Sequence, residues 1–429
     1  MYRALFAAAL ATLLLAPVTT RAQDQAPDNA ELYEIIKRQQ EQIDELLRRL
    51  DDKNASQPAP ARPAGTGPST TELLEIIEAQ QDEIDQLVGK RQSDLFELEG
   101  RTVVGGYGEL HYNNLDADDS ARDFEEFDFH RFVLFFGHEF NESVRFFSEV
   151  ELEHSLVEDT DDGSGPGEIE IEQAYVEFDF DDYSSIQAGL FIVPVGILNE
   201  IHEPPTFYGV ERNDVENIII PTTWREAGVQ YIRRFGEGWQ LNVGIHSGLE
   251  IPTSSFRIRS GRQSAARAAG DALAVTSRLK YTGIRGLEVA GTISYQDDPS
   301  QEDGDGLDSG ILYEAHAAYT RGKFGLRALW AQWDFDGDVI EAAGDADSQS
   351  GWYIEPSYKL TDKFGIYARY SDVDAARAQD NFEQAEIGFN WWPHDQVVFK
   401  FDIRSRDHDL ASESGRDFDG FDLGVGYQF

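Results

Sequence analysis

The chain has 429 residues and carries 36 Lys and Arg against 80 Asp and Glu, a formal net charge of −44. This charge argues against a nucleic-acid partner, because binding to phosphates requires a basic surface. Cysteine is absent, which excludes disulfides and thiolate metal sites, and 12% aromatic residues is too high for a disordered acidic chain.

The chain begins with the pattern of a secretory signal peptide. Arg3 precedes an apolar run over residues 5–16, and small residues mark a cleavage site after Ala22. The run is too short for a membrane-spanning helix of about 20 residues, and no later segment is apolar for that length. We therefore expect signal peptide 1–22 to be removed, and any membrane insertion to use a β-barrel.

Two segments after the signal peptide repeat each other. Residues 31–50 and 71–90 align at an offset of 41 positions, with core residues spaced alternately by four and three. This heptad pattern predicts a coiled coil, and a glutamine at one core position of each copy is compatible with a trimer. A monomeric charged helix is the alternative. With the proline-rich linker 51–70, the pattern predicts a periplasmic coiled-coil region over residues 23–100.

From Thr102 onward the pattern becomes that of a transmembrane β-barrel. Apolar residues recur at every second position in runs of about ten, the length of a membrane-crossing strand. In the last run, Phe421, Leu423 and Val425 alternate with polar or small residues. The alternation is less regular in Glu168–Phe180, where we expect a β-bulge.

Short turns and long loops alternate between these runs. Seven turns and eight loops predict an all-β, 16-stranded antiparallel barrel over residues 101–429, with both ends on the short-turn, periplasmic side. The loop 194–222 begins with Pro194 and is broken by Pro204 and Pro205. Long irregular loops are usually functional, so we expect this loop to form the constriction of a channel.

A soluble β-sandwich or β-helix is the alternative fold. Few such domains run past about 300 residues on even hairpins. A barrel in lipid also accounts for aromatic residues near the strand ends, which are expected to form interfacial girdles. These residues are Tyr107, Tyr112, Tyr231, Trp239, Trp330, Trp333, Trp391 and Trp392.

The segment from Gly189 to Gly228 contains G-L-F-I-V-P-V-G-I-L-N-E, P-P-T-F-Y-G-V-E-R and I-I-P-T-T-W-R-E-A-G-V. These stretches resemble the phosphate-selective porin O and P family, and the resemblance covers about residues 100–429. It implies a homotrimeric 16-stranded porin in the bacterial outer membrane, in contact with lipid and lipopolysaccharide, whose third loop narrows the pore. The terminal Phe429 resembles the signal by which the outer-membrane assembly machinery recognises such barrels.

Charged residues predicted to face the channel leave its selectivity open. Basic residues raise the local concentration of anions such as phosphate, whereas rings of carboxylates favour cations. The basic candidates are Arg212, Arg257, Arg259, Arg262, Lys400 and Arg404, and the acidic candidates are Glu149, Glu151 and Glu170. An anion-selective porin and a general or cation-selective porin are both compatible with these sets. For Arg212, a salt bridge that fixes the loop to the wall is the alternative to solute contact.

The sequence contains little that indicates catalysis or metal binding. The nine His residues include no His-x-x-x-His pair, and no Gly-rich phosphate loop or Gly-x-Ser-x-Gly elbow occurs. We therefore predict no enzyme, no metal site and no cofactor. A barrel-embedded hydrolase that uses His246 and Ser247 is the enzymatic alternative. A tether that reaches the cell wall through the coiled coil is a third alternative, and the acidic loops lack the spacing of a calcium loop.

Overall fold

The computed structural model describes residues 96–98, 102–157, 159–160, 163–164, 166–301, 306–344 and 346–429. The predicted signal peptide and almost all of the predicted coiled-coil region lie outside the described residues. Within the part of the chain that is described, no helix is both long enough and apolar enough to cross a membrane.

Sixteen antiparallel strands, numbered β1 to β16, pair in chain order around a closed barrel. In order, they are Thr102–Ala117, Phe124–Asn141, Val144–Glu153, Ile169–Asp181, Ser184–Ile192, Arg225–Phe235, Trp239–Ser247, Leu273–Tyr281, Leu287–Asp297, Ser309–Arg321, Phe324–Asp336, Ser348–Thr361, Phe364–Asp374, Phe382–His394, Val397–His408 and Phe418–Gln428. β16 pairs with β1 from Phe418 opposite Ala117 to Gln428 opposite Tyr107, which closes the sheet. The predicted 16-stranded barrel is confirmed.

Short additional elements accompany the barrel strands. Phe96–Leu98 pairs with the start of β1, and Asp159–Thr160 pairs with Gly163–Ser164 in the second long loop. Single helical turns and short helices lie in the long loops. They are Ser120–Arg122, Pro204–Thr206, Val215–Ile219, Ile258–Gly261, Asp338–Ala343, Ala378–Asp380 and Ala411–Arg416.

Short turns and long loops alternate around the barrel, as predicted. Seven short turns join strands at one end and eight long loops join them at the other. The third loop, L3, comprises residues 193–224 between β5 and β6, and the fourth, L4, comprises residues 248–272 between β7 and β8. In bacterial barrels the turns face the periplasm and the long loops face outward.

The outward face of the barrel is apolar, whereas most of the inward face is polar. On β16, Leu423 is 44% exposed while its neighbour Asp422 is fully buried. The same alternation leaves large apolar side chains exposed on the other strands, for example Ile293, Ile354 and Ile403. A bilayer accommodates such a surface, and the closed sheet pairs the backbone polar groups that lipid cannot satisfy.

Part of the girdle prediction was wrong. Tyr107 and Trp333 are buried in the interior, and Trp392 donates its indole N–H to Pro205 O in L3. Three other members of the set are exposed on the outer face, namely Trp239, Trp330 and Trp391. Nearness to a strand end sets the height of a side chain in the membrane, but the position along the alternation decides which face it occupies.

The predicted β-bulge lies in β4. Glu149 of β3 pairs with Gln173, and the next residue, Val150, pairs with Ile171, so that Glu172 is the extra residue. The Glu172 side chain is turned into the barrel, where it is 1% exposed. The bulge therefore places a carboxylate in the interior between two inward positions of the regular strand.

An apolar core lies inside the barrel and holds L3 and L4 within the lumen. L3 and L4 pack there against inward side chains of β10 to β14. The L3 and L4 members are Val193, Val195, Ile197, Val215, Ile219, Ile220, Trp224, Leu249, Ile251, Phe256 and Ile258, and the wall members include Leu312, Leu329, Trp333, Tyr353 and Phe382. Each large apolar side chain buried in this way contributes roughly 1.5–3 kcal/mol.

Gly189 of β5 permits the close approach of β4. Its φ is +139°, and a Cβ atom added there would lie 2.3 Å from Ala174 O. We predict that Gly189→Val lowers the folded fraction of the protein, because β5 would have to move away from β4. The measurement is the heat-modifiable migration of the refolded protein in SDS gels.

The matched control for this prediction is Ala188→Val, one residue earlier in β5. Ala188 is exposed on the outer face, so the added methyl groups meet lipid or detergent. This variant should fold like the wild type. Equal folded fractions for the two variants would contradict the steric argument.

Candidate functional site

L3 crosses the lumen with its main chain hydrogen-bonded to the barrel wall. Between His202 and Tyr208, five of its carbonyl oxygens accept hydrogen bonds from wall side chains. The pairs are Arg131 Nη2 to His202 O at 2.8 Å, Trp392 Nε1 to Pro205 O at 3.1 Å, Arg327 Nη2 to Thr206 O at 2.9 Å, Asn390 Nδ2 to Phe207 O at 2.9 Å and Arg369 Nη2 to Tyr208 O at 2.7 Å. Arg131 lies on β2, whereas the other donors lie on β11, β13 and β14, a quarter to almost half of the circumference away. L3 therefore extends from one wall of the lumen to another.

Buried carboxylates orient two of these arginines. Arg131 Nε lies 2.6 Å from Glu109 Oε1, and Arg369 lies 2.9 Å from Glu355 and 2.7 Å from Glu386. All five side chains are buried. Because a guanidinium group presents its donors in a fixed fork, a carboxylate on one edge directs another edge toward the L3 carbonyl.

A buried carboxylate, Glu216, joins the two arms of L3. The backbone N–H groups of Ile197 and Leu198 donate to it at 2.8 and 2.6 Å, the Tyr353 hydroxyl at 2.8 Å and the Asn213 amide at 3.3 Å. Burial raises the pKa of Glu216, although these donors act to lower it. Since Tyr353 lies on β12, the same carboxyl group also fixes the loop to the wall.

Arginines line a cavity of about 480 Å³ on the external side of L3. Its charged residues are Arg257, Arg259, Arg262, Arg406, Arg416 and Asp380. Arg257 and Arg416 each lie 3.2 Å from Asp380, the single carboxylate in the lining. The cavity therefore has an excess of positive charge, which raises the local concentration of anions.

Three arginines near L3 contact oxygen atoms of the loop without an acidic partner. Arg262 Nη1 donates to Thr223 O at 3.1 Å, Arg212 Nη1 donates to Thr223 Oγ1 at 3.1 Å, and Arg259 donates to Thr222 O. Among the described residues, no carboxylate lies within salt-bridge distance of these three guanidinium groups. The surrounding protein and the charge of Arg262 lower the pKa of Arg259 to about 10.

Glu211, next to Arg212, fixes this end of L3 to the wall. Its Oε1 lies 3.0 Å from both His111 Nδ1 and Asn113 Nδ2. This end of the loop is therefore fixed to the wall by Glu211, and not by the salt bridge of Arg212 that the sequence left open as an alternative. Arg212 itself lines a second external cavity, of about 350 Å³, together with Arg259.

L3 covers several of the other candidates predicted from the sequence. Glu149 and Glu151 are 2% and 3% exposed, and Lys400 is 4% exposed with Nζ 3.4 Å from the centroid of the Phe207 ring. These side chains point inward, as their positions in the strands indicated. They lie between L3 and the wall, however, and not on an open water-filled surface.

The remaining two candidates form ion pairs with neighbouring residues. Arg404 pairs with Asp422 of the adjacent strand, and Glu170 pairs with Arg225. Pairing reduces the net field that either side chain exerts on a passing solute. Of the nine candidates, five line the external cavities, namely Arg212, Arg257, Arg259, Arg262 and Arg404.

On the periplasmic side of L3 the charges are mixed. Glu200 pairs with Arg278, and Lys280 Nζ lies 3.8 Å from its carboxylate. Burial acts to raise the pKa of Glu200, but these two cations lower it to about 2. Glu200, Glu203 and Lys280 line a cavity of about 880 Å³.

Sequence reasoning did not identify Arg131, Arg327 and Arg369 as residues that hold L3. The alternation of apolar and polar residues along the strands does predict that these three side chains point inward, and it can be read from the sequence. Their acceptors, however, are backbone carbonyls of a loop, and no residue pattern marks such an acceptor.

His246 and Ser247, the pair considered for a hydrolase, do not interact through their side chains. His246 Nε2 lies 2.8 Å from Thr276 Oγ1, and the Ser247 hydroxyl donates to Glu226 at 2.5 Å. His246 and Ser247 are both buried. The geometry therefore provides no serine activated by this histidine.

Comparison with known families agrees with this architecture. Residues 104–313 match the model of the family described as Phosphate-selective porin O and P. The resemblance to this family is confirmed over that range. Together with the closed barrel, the match supports an outer-membrane channel for passive diffusion.

Individual proteins and solved structures share a low sequence identity with this chain. A protein of Aquifex aeolicus described as uncharacterized is 29% identical over 356 residues, which are 75% of this chain and 79% of that protein. The anion-selective porin from Comamonas acidovorans superposes with a TM-score of 0.55 at 12% identity, over 76% of this chain and 99% of that one. Salmonella typhi OmpF in complex with daunomycin gives 0.55 at 13% identity, over 78% and 100%. The channel DcaP of Acinetobacter baumannii gives 0.54 at 14% identity, over 79% and 100%.

The hydrogen bonds to L3 can be tested with a double variant, Arg327→Met with Trp392→Phe. It removes two donors to adjacent L3 carbonyls and leaves Arg131, Asn390 and Arg369 in place. The two bonds contribute on the order of 2 kcal/mol together. We therefore predict larger or noisier single-channel currents in planar bilayers, with unchanged heat-modifiable folding.

A suitable control is Lys323→Met with Trp391→Phe. Lys323 donates to Leu360 O at a short turn, and Trp391 is exposed on the outer face. The control should conduct like the wild type. Indistinguishable currents from both double variants would show that these donors do not hold the constriction.

Proposed function

We propose that this outer-membrane porin favours small anions, such as phosphate, over cations. The observation that carries the proposal is the group of Arg212, Arg259 and Arg262 beside L3. These three guanidinium groups have no carboxylate partner among the described residues and line the external cavities. An anion approaching L3 from outside meets positive charge before it reaches the constriction.

The position of the acidic candidates supports the same preference. A ring of carboxylates selects cations only where it faces the permeating ion. Glu149 and Glu151 are covered by L3, and Glu170 is paired with Arg225. The excess of positive charge lies in the cavity of about 480 Å³, where Asp380 is the single carboxylate, whereas the cavity of about 350 Å³ also has acidic residues in its lining, namely Glu126, Asp128, Glu211 and Asp214.

Diffusion through this site requires binding that is strong enough to attract an anion and weak enough to release it. Arg259 and Arg262 donate to L3 carbonyls through one end of the guanidinium group, which fixes the side chains. The fixed charges act at a distance as well as by contact. We propose no catalytic group, because passage through such a channel breaks no bond.

The charge preference can be measured from reversal potentials in a KCl gradient across planar bilayers. We predict stable single-channel steps and a chloride preference for the wild type. Arg259→Gln with Arg262→Gln removes both charges and keeps a polar side chain at each position. The preference should fall about fivefold, since each charge at ~8 Å through water contributes about 0.5 kcal/mol.

The charge-matched control is Arg122→Gln with Arg321→Gln. Both arginines are exposed and lie outside the L3 region. Their loss should leave the reversal potential unchanged. A cation preference in the wild type that the Arg259 and Arg262 variant does not alter would refute anion selectivity, and the absence of channels in all salts would refute the porin assignment itself.

We further propose that the chain assembles as a homotrimer with its N-terminal extension in the periplasm. The proposal rests on the family resemblance and on the heptads of residues 31–50 and 71–90. A trimer would bring three short coiled-coil strands together at high effective concentration. Phe429, 37% exposed and stacked 6.4 Å from Phe132, is the proposed contact for the assembly machinery.

Light scattering of the full chain in mild detergent tests the trimer. We predict a protein mass three times that of one processed chain. Replacing Ile36 and Ile43 by Asp should weaken association of the extension, because charges at core positions disrupt the heptad seam. Gln40→Glu adds a charge outside the heptad seam and should therefore leave the association of the extension unchanged. A monomeric mass for the wild type would contradict the proposal.

A further inference from the structure

Three ligand-type side chains converge beneath L3 at the wall formed by β3 and β4. They are Glu149 of β3, Glu172 of the β4 bulge and His202 of L3. One ligand atom from each lies within 4.8 Å of the others. His202 Nε2 lies 3.6 Å from a Glu172 oxygen and 4.0 Å from a Glu149 oxygen. All three residues are at least 97% buried.

The polar atoms at this point lack partners among the described residues. Both carboxylate oxygens of Glu172 and the Nε2 atom of His202 are buried without a hydrogen bond. Leaving a buried polar atom unsatisfied costs about 1–3 kcal/mol, and more for a charged group. Such a set of orphaned atoms pointing at one another indicates a missing positively charged ligand.

The imidazole of His202 is held in the orientation of a metal ligand. Its Nδ1 atom lies 3.3 Å from Asn199 O, so Nδ1 carries the proton and donates to that carbonyl. In the neutral imidazole with this tautomer, Nε2 has a lone pair directed at Glu172 and Glu149. Metal-binding histidines commonly have their other ring nitrogen bonded to a backbone carbonyl in this way.

We propose that Glu149, Glu172 and His202 form a binding site for a divalent transition-metal ion of the Zn²⁺ type. Ligand atoms about 2.1 Å from a tetrahedral ion lie about 3.4 Å apart, close to the observed separations. Two carboxylates and one neutral imidazole supply the oxygen and nitrogen donors that such ions accept. Ca²⁺ fits less well, because it takes six to eight oxygen ligands.

The local charge balance also calls for a cation. Glu149, Glu151 and Glu172 lie in one buried region with Arg131, and Arg131 already bonds Glu109 at 2.6 Å. Arg131 Nη1 lies 4.0 Å from Glu151, and among the described residues the basic group within 4.0 Å of Glu149 and Glu172 is the imidazole of His202 itself. A divalent ion would neutralise these two carboxylates.

A metal ion here would give His202 a second contact with the barrel wall. Arg131 holds His202 O, and the ion would hold the His202 side chain of the same residue. The cavity of about 880 Å³ on the periplasmic side reaches Glu203, the next residue along L3.

The other explanation for the orphaned atoms is a proton shared between Glu149 and Glu172. A shared proton removes one charge but supplies no ligand to His202 Nε2. The two explanations differ in a direct observable, because a proton pair binds no zinc. The test below therefore decides between them.

The full-length protein in detergent is treated with chelator, dialysed against ZnCl₂ and analysed for metal by mass spectrometry. We expect one equivalent of zinc per chain in the wild type. Glu172→Gln and His202→Gln should each weaken zinc binding by at least about tenfold in calorimetric titrations, the loss typical of even indirect changes to a metal site. Heat-modifiable migration in SDS gels establishes that each variant is folded.

Glu142→Gln is the matched control. Glu142 lies in the short turn before β3, is exposed and belongs to neither group of residues that could hold a metal ion, so its replacement removes one negative charge without removing a ligand. This variant should bind zinc like the wild type. No zinc above the buffer level in the wild type, or equal affinities in all four proteins, would overturn the proposal and leave the shared proton.

Discussion

The structure depends on hydrogen bonds between wall side chains and the backbone of L3. A loop inside a barrel is removed from bulk water, so its carbonyl groups need partners from the protein. Arg131, Arg327, Asn390, Arg369 and Trp392 supply them over a short stretch of the loop. The polar inner face of the barrel, which a soluble protein would turn to solvent, is used here to hold L3 inside the lumen.

This constraint divides the charged residues of the lumen into two groups with different consequences. Arg131 and Arg369 are buried with carboxylates and act on the position of L3. Arg212, Arg259 and Arg262 contact the loop from its external side and keep their net charge. The strongly acidic chain thus has a local positive region on the external side of L3, in the cavity of about 480 Å³ where Asp380 is the single carboxylate.

Residue alternation was sufficient to predict the barrel, its strand number, the β4 bulge and the inward direction of Lys400 and Glu149. The girdle prediction failed because it relied on nearness to the strand ends, whereas Tyr107 and Trp333 occupy inward positions of the alternation. Nor did it distinguish an inward charge that faces water from one that L3 covers. That distinction depends on where a loop of irregular backbone lies, and irregular backbone has no sequence period.

The sequence by itself determined the closed barrel, because a strand with one apolar face and one polar face is stable in a bilayer only when the sheet has no free edge. Only the tertiary structure decided what L3 touches. His202 follows Glu172 by 30 positions and Glu149 by 53, and no spacing rule connects the three residues. They meet because a bulge turns one carboxylate inward and the loop returns to the same wall, and both are consequences of packing in three dimensions.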